Sequence, residues 1–229
     1  MPAPVSPNQA RHDGGVIGEW TAVIPVKPLG LAKSRLRGAV PAARHQDLAL
    51  AMLADTAAAV LASTEIGELL VVTNDTTAAA VARLAGARPV PDLPDAGLNA
   101  AFRHGADVAA GRARARVALA GDLPALRPEE LTAALRSADG RSFVVDAAGT
   151  GTVLLAVPAG EDLDPRFGSG SAEAHAGSGA TALPGDWPGL RQDVDTADDL
   201  RTVMALGPGP RTCALLRDLG LISTCLPAA

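Results

Sequence analysis

Aromatic residues are nearly missing from this chain, which has two Trp, three Phe and no Tyr in 229 residues. Base stacking on aromatic platforms, the usual device of single-strand nucleic-acid binders, has almost nothing to work with. A basic surface is lacking as well: the formal net charge is −5, and binding to a phosphate backbone wants the opposite sign. Both absences argue against nucleic acid as a partner. No apolar run approaches a membrane span, and residues 1–18 hold no apolar core of a signal peptide. Cysteine is scarce, with Cys213 and Cys225 alone, no C-x-x-C and no His-rich neighbourhood. That pattern favours two unlinked thiols over a zinc site or a functional disulfide, and it fits a reducing cytoplasm. The expectation is a cytoplasmic protein without a membrane partner.

What is present is 48% apolar residues, enough for a substantial core built from Ala, Val and Leu. The chain is organised around residues 21–36, TAVIPVKPLGLAKSRL. Its first six residues, with β-branched Thr21, Val23, Ile24 and Val26, predict a strand buried on both faces of a parallel sheet, ending at Pro25. The connection that follows packs Lys27, Lys33 and Arg35 beside Pro28, Gly30 and Ser34. Pro and Gly bend the backbone so that amides can face an anion, and the cations neutralise it. A basic surface loop would have the same composition. Position favours a polyanion cradle, because open α/β sheets bind ligands outside the carboxyl ends of their strands. Neither G-x-x-x-x-G-K-[ST] nor G-x-G-x-x-G occurs here, so a P-loop hydrolase and a dinucleotide dehydrogenase both lose ground.

Residues 1–19 are rich in Pro, Gly, Asn and Gln and read as a disordered leader. The periodicity predicts a helix over 41–63, a strand over 69–73, and a helix capped by Asn74 or Asp75 and stopped at Gly86. A third short strand follows at 89–90. Gly97 and Asn99 sit at the N-terminus of a helix starting near Leu98, where a glycine lets a flat base or ribose approach the backbone, although an ordinary turn reads the same way. The run 116–120 predicts a fourth strand that delivers Asp122 in Gly-Asp-Leu-Pro, a good place to hold a divalent metal unless Asp122 caps the helix at 128–137. Two strands, 143–146 and 152–157, form a hairpin, which makes the sheet mixed. The segment Phe167-Gly168-Ser169-Gly170-Ser171, leading into a short helix, offers a second anion site or a flexible loop. His175 on that helix, close to the second anion site, could help hold a phosphate or carboxylate, but a surface histidine is the favoured reading. An extended run over 189–194 then places Asp193, with Asp195 behind it, at a second strand end, and Thr196 opens a helix over 197–206. Residues 207–229 add one short helix and a tail.

The ordered set IPVKPLGLAKSRL, GLNAA, GDLPAL, GTGT, FGSGSAEAH and DVDTADDL resembles the 2-phospho-L-lactate / phosphoenolpyruvate guanylyltransferases of coenzyme F-420 biosynthesis, from about Trp20 to Leu206. The resemblance implies a nucleotidyltransferase domain over 20–206, in the three-layer, Rossmann-like fold of the molybdenum-cofactor guanylyltransferase type. It implies GTP as donor, a small phospho-acid as acceptor, magnesium as cofactor and the next enzyme of the pathway as a further partner. By position, Lys27, Lys33 and Arg35, with Gly30 and Ser34, would hold the GTP phosphates, and Gly97 and Asn99 would lie near the nucleoside. Asp122 and Asp193 would bind magnesium. Thr150 or Thr152, with Gly168 and Ser171, would hold the acceptor's phosphate. A nucleotidyltransferase for a sugar phosphate or a molybdopterin, or a non-catalytic nucleotide-binding domain, would share the scaffold.

Overall fold

The computed structural model describes residues 18–29, 36, 38–109 and 114–225. The expected leader lies outside these residues except for Gly18 and Glu19, and so do Gly30, Lys33, Ser34 and Arg35 of the cradle.

Among the described residues, seven strands form one sheet in the order β3-β2-β1-β4-β6-β5-β7. They are β1 (Trp20–Pro25), β2 (Ile66–Val72), β3 (Arg88–Val90), β4 (Ala115–Leu119), β5 (Ser142–Val145), β6 (Thr152–Val157) and β7 (Thr181–Ala182). Only β6 runs against the rest, pairing antiparallel with β4 and with β5. The expected mostly parallel, mixed sheet is therefore what forms. Every residue of β1 but Pro25 is buried, as a central strand covered on both faces requires.

Helices cover both faces. On one lie α1 (His45–Ala62), α2 (Thr76–Leu84) and α4 (Pro128–Ser137), sharing a core with Ile24, Leu69 and Leu119 of the strands. On the other lie α3 (Leu98–Val108) and α5 (Ser171–Gly177), packed on Val23, Val72, Phe143 and Leu155. Helix α3 lies close to the sheet because Gly105 has no side chain: a Cβ there would come within 2.7 Å of Val72 Cγ2. A short helix α6 (Pro188–Arg191) precedes α7 (Ala197–Leu206) and α8 (Pro210–Asp218). Helix α1 is apolar on two sides because it is sandwiched: Leu53, Ala57 and Val60 enter the sheet core, while Leu48 and Met52 join Leu200, Val203 and Leu216 of α7 and α8.

The end of the chain departs from expectation. Cys213 and Cys225 are joined in a disulfide, with Cα atoms 5.8 Å apart, rather than left as two thiols. Their spacing matches no motif, so the pairing is decided in space: the turn at Gly220, with φ +69°, brings residues 221–225 back along α8. Closing a loop of this size should stabilise the fold by about 3 kcal/mol. We expect reduction to lower the urea midpoint accordingly and to leave turnover unchanged, because the site described next uses neither cysteine.

Candidate active site

The strand order reverses between β1 and β4. From β1 the chain goes to β2 on one side, and from β4 it goes on to β5 and β6 on the other. Such a switch point opens a crevice at the carboxyl ends of the strands. Val23 lies opposite Ala118 in the β1–β4 register, so the segments leaving these strands emerge side by side. One carries Lys27, which is exposed, and the other carries half-buried Asp122. The cradle is anchored at both ends. Leu29 is buried and its N–H donates to Asp75 Oδ2 (3.4 Å), while Leu36 is buried beside Val40 and Leu48.

Asp122 is set by close packing. Gly121 must be glycine because a Cβ would come within 2.8 Å of Ile24 Cγ2, and the Leu123 N–H donates to Thr56 Oγ1 on α1 (3.0 Å). Asp193 arrives differently from expected. Residues 188–191 form the helical turn α6 rather than a strand, because Pro188 starts it and the Gly189 N–H is taken by Glu130 Oε1 (3.0 Å). The Arg191 side chain then ties this turn to the end of β5, Nε to Val145 O (3.1 Å) and Nη2 to Asp146 O (3.2 Å). Gln192 and Val194 are buried on either side of Asp193, and Gln192 Nε2 donates to the Asp193 carbonyl (3.0 Å).

The outcome is a carboxylate set in a field of its own sign. Burial pushes the Asp193 carboxyl up to about 7, and the charges of Asp122, Asp195 and Asp146 push in the same direction. Asp146 faces this group with both oxygens already accepting, Oδ1 from Thr150 N–H (3.0 Å) and Oδ2 from Gly151 N–H (2.9 Å). Carboxylates whose charges oppose one another, on a strand exit neighbouring the one that carries Lys27, are a setting in which a divalent cation can be held. Among the described residues no three His, Cys, Asp or Glu side chains are placed to hold a metal by themselves. Magnesium fits such a pair, since it usually binds one or two carboxylates and completes its shell with water and substrate phosphate.

The residues expected to hold the acceptor lie on the α3–α5 face, beyond β6. Thr152 opens β6, while Thr150, in the loop before it, is exposed and gives its carbonyl to Ala172 N–H (3.1 Å) at the start of α5. Ser171 is buried and its N–H donates to Gly168 O (3.1 Å), so the first two amides of α5 are taken, one by its own loop and one by the loop before β6. Gly97, with φ +93°, precedes α3 and has open space where a Cβ would be. Asn99, expected near the nucleoside, uses its carboxamide on Phe167: Nδ2 donates to Phe167 O (3.0 Å) and Oδ1 accepts from Phe167 N–H (2.8 Å).

His175 is not a surface residue. It is fully buried, with Nδ1 2.9 Å from Thr152 Oγ1 and Nε2 accepting from the Arg166 N–H (2.9 Å). Ser171 and His175 stand four apart on one helix face, and that spacing was the available signal. Asp146 was also readable, as an acidic residue at a strand's carboxyl end. Two cavities of about 420 and 440 Å³ lie elsewhere, the first lined by Arg103, Arg116 and Asp162, the second by Trp20, Arg114 and Pro158, towards the opposite edge of the sheet.

Comparison with known proteins is decisive at the level of family. A profile described as "Guanylyl transferase CofC like" matches residues 20–225, past the Leu206 limit of the resemblance seen in the sequence. The chain belongs to this family. A relative from Salinispora arenicola (strain CNS-205), named phosphoenolpyruvate guanylyltransferase, is 58% identical over 200 residues, covering 86% of this chain and 92% of the relative. One of the same name from Geodermatophilus obscurus is 56% identical over 204 residues, covering 86% and 94%. Among solved structures, one from Desulfovibrio desulfuricans G20 superposes with a TM-score of 0.70 at 18% identity, covering 89% of this chain and 96% of the other. A nucleotidyl transferase from Methanothermobacter thermautotroptrophicus gives 0.58 at 21%, covering 81% and 95%. At such identities these two establish the fold alone, and it is the nucleotidyltransferase fold of the CofC-like family. No described helix is long and apolar enough to cross a membrane.

Proposed function

We propose that this chain transfers GMP from GTP to the phosphate of phosphoenolpyruvate, releasing pyrophosphate, as a step of coenzyme F-420 biosynthesis. The observation that carries the reading is the placement of Lys27 and Asp122 on neighbouring strand exits at the switch point, with Asp193 close enough to Asp122 for their charges to oppose each other. Family membership supplies the guanylyl donor, and the names of the relatives favour phosphoenolpyruvate over 2-phospho-L-lactate as acceptor.

An acceptor phosphate oxygen attacks the α-phosphorus of GTP. A new P–O bond forms, the bond to the β-phosphate bridge breaks, and pyrophosphate leaves with the electron pair. The attacking phosphate is already largely ionised at neutral pH, so no general base is required. What opposes the reaction is repulsion between two polyanions and charge building on the leaving group. Lys27, with Lys33, Arg35, Gly30 and Ser34 of the cradle, binds the GTP phosphates. Gly97 borders the nucleoside, and Thr152, Gly168 and Ser171 hold the acceptor phosphate. Asp122 and Asp193 would hold magnesium, which supplies charge neutralisation on the phosphates when bound. The phosphoanhydride product passes to the next enzyme of the pathway, and the reaction belongs to the cytoplasm, where GTP is made.

The test is a pyrophosphate-release assay of GTP, ATP and CTP, each with phosphoenolpyruvate, 2-phospho-L-lactate or 3-phosphoglycerate, with and without magnesium. Release that needs GTP, phosphoenolpyruvate and the metal together is expected. Equal rates with all three acids would remove the acceptor assignment, and binding of GTP without any release would leave a nucleotide-binding domain.

A further inference from the structure

We propose that His175 is a positioning residue for the acceptor subsite, orienting the Thr152 hydroxyl so that it presents its proton to the acceptor phosphate. The inference rests on the reading of Thr152, Gly168 and Ser171 as that subsite. His175 Nε2 accepts the Arg166 N–H, and an amide can only donate, so Nε2 carries no proton. A neutral imidazole then holds its proton on Nδ1, which stands 2.9 Å from Thr152 Oγ1. Thr152 Oγ1 accepts that bond, while the Ser171 carbonyl one turn earlier on α5 also draws on the ring proton. The Thr152 hydroxyl proton is thereby turned to another partner, and an anion is what it can serve.

The surroundings keep the ring in this state. Burial holds the His175 pKa down at about 4, and the cationic Arg141 and Arg166 act in the same direction against the opposing pull of Asp164 and the Ser171 carbonyl. Protonation would cost the Arg166 hydrogen bond, so the neutral tautomer persists across the pH range in which phosphate is ionised.

The same side chain ties down the loop that carries Gly168 and Ser171. Phe167 is gripped by Asn99 through both backbone atoms and stacks on Phe102 with ring centroids 4.3 Å apart. It meets His175 edge-on at 5.2 Å, and Phe143 closes the other side of the imidazole at 5.8 Å. Two of the three phenylalanines of an aromatic-poor chain therefore meet this histidine, and the third, Phe102, backs one of them. Helix α3, with Asn99 and Phe102, is fixed to strand β6, with Thr152, through this cluster.

Two substitutions separate the roles of the two nitrogens. His175→Asn keeps an N–H donor near the place of Nδ1 and gives up the acceptor, whereas His175→Gln keeps an acceptor near the place of Nε2 and gives up the donor. KM is measured for phosphoenolpyruvate and GTP separately, beside melting temperatures. His175→Gln and Thr152→Val should each raise the phosphoenolpyruvate KM about tenfold, the scale of one hydrogen bond to a charged group, with the GTP KM within about twofold. Their double variant should be no worse than either alone, because both remove the same interaction. His175→Asn should keep a phosphoenolpyruvate KM within about threefold. Thr152→Val leaves the aromatic cluster untouched and decides the matter if His175→Gln does not fold. Parallel losses for GTP and phosphoenolpyruvate, an additive double variant, or an unchanged phosphoenolpyruvate KM in Thr152→Val would each make His175 a packing residue only. Failure of the unmodified protein to release pyrophosphate with any phospho-acid would instead remove the acceptor reading, and this one with it.

Discussion

Asp193→Asn is expected to lose pyrophosphate release by about 10²–10³-fold and, above neutral pH, to gain stability. Both effects have one cause. Asp193 is half-buried and faces Asp122, Asp195 and Asp146, so its carboxyl titrates at about 7 instead of in the usual carboxylate range. Between about pH 4 and 7 the folded protein binds a proton that the unfolded chain does not, and stability falls as pH rises through that window. At pH 8 the native protein carries the full penalty, and asparagine carries none. After allowance for the water still in contact with the group, the gain should be about 1–2 kcal/mol at pH 8 and close to nothing at pH 4. Urea unfolding of both proteins at the two pH values, in chelator, measures it. Magnesium should raise the melting temperature of the parent and not of the variant, since only a state that binds the ion is stabilised by it. Near-normal turnover, or a stability difference independent of pH, would remove Asp193 from the metal site.

The second large effect is expected far from the chemistry, at Asp55. This carboxylate on α1 is buried, which pushes its pKa up, yet both oxygens are in use at the start of α8: Oδ1 accepts from Arg211 N–H (3.0 Å) and Oδ2 from Thr212 N–H (2.7 Å). These are first-turn amides without partners inside the helix, and the negative charge also meets the positive end of the helix dipole. Asp55→Ala leaves both donors unmatched, the Thr212 N–H buried and the Arg211 N–H partly so, at a cost of about 3 kcal/mol, or roughly 6–12 °C in melting temperature for a domain of this size. Asp55→Asn should cost about half as much, because its NH2 group faces one of the two N–H groups while its carbonyl still serves the other. Equal losses in the two variants would show that packing, not hydrogen bonding, joins α8 to the domain.

Local rules made most of the elements readable. The all-buried run at 21–24, the Asp75 cap with its two bonds to Thr77 and Ala78, the proline that starts α4 and the Thr196 cap of α7 are all decided within a few residues of chain. The same holds for Asp122, because a glycine and an acid after an apolar strand mark a carboxyl edge. Where the sequence misled, the deciding partner was distant. Residues 189–194 look extended, but Glu130, about sixty positions earlier, captures the Gly189 amide and Arg191 reaches back to β5. His175 looks exposed on a polar helix until the Arg166 amide and the Thr152 hydroxyl take its two nitrogens. Asn99 looks free to meet a ligand until the Phe167 backbone occupies it.

The sequence by itself determined the alternation of buried strands and capped helices and the acidic and basic groups available for phosphate chemistry. All of these depend on residue type and short spacing. Only the tertiary structure decided that Asp193 opposes Asp122, that the two cysteines join and that a histidine is held neutral between Phe143 and Phe167. Those facts depend on the distance between groups far apart in the chain, and charge repulsion, thiol pairing and desolvation act only once folding has set that distance.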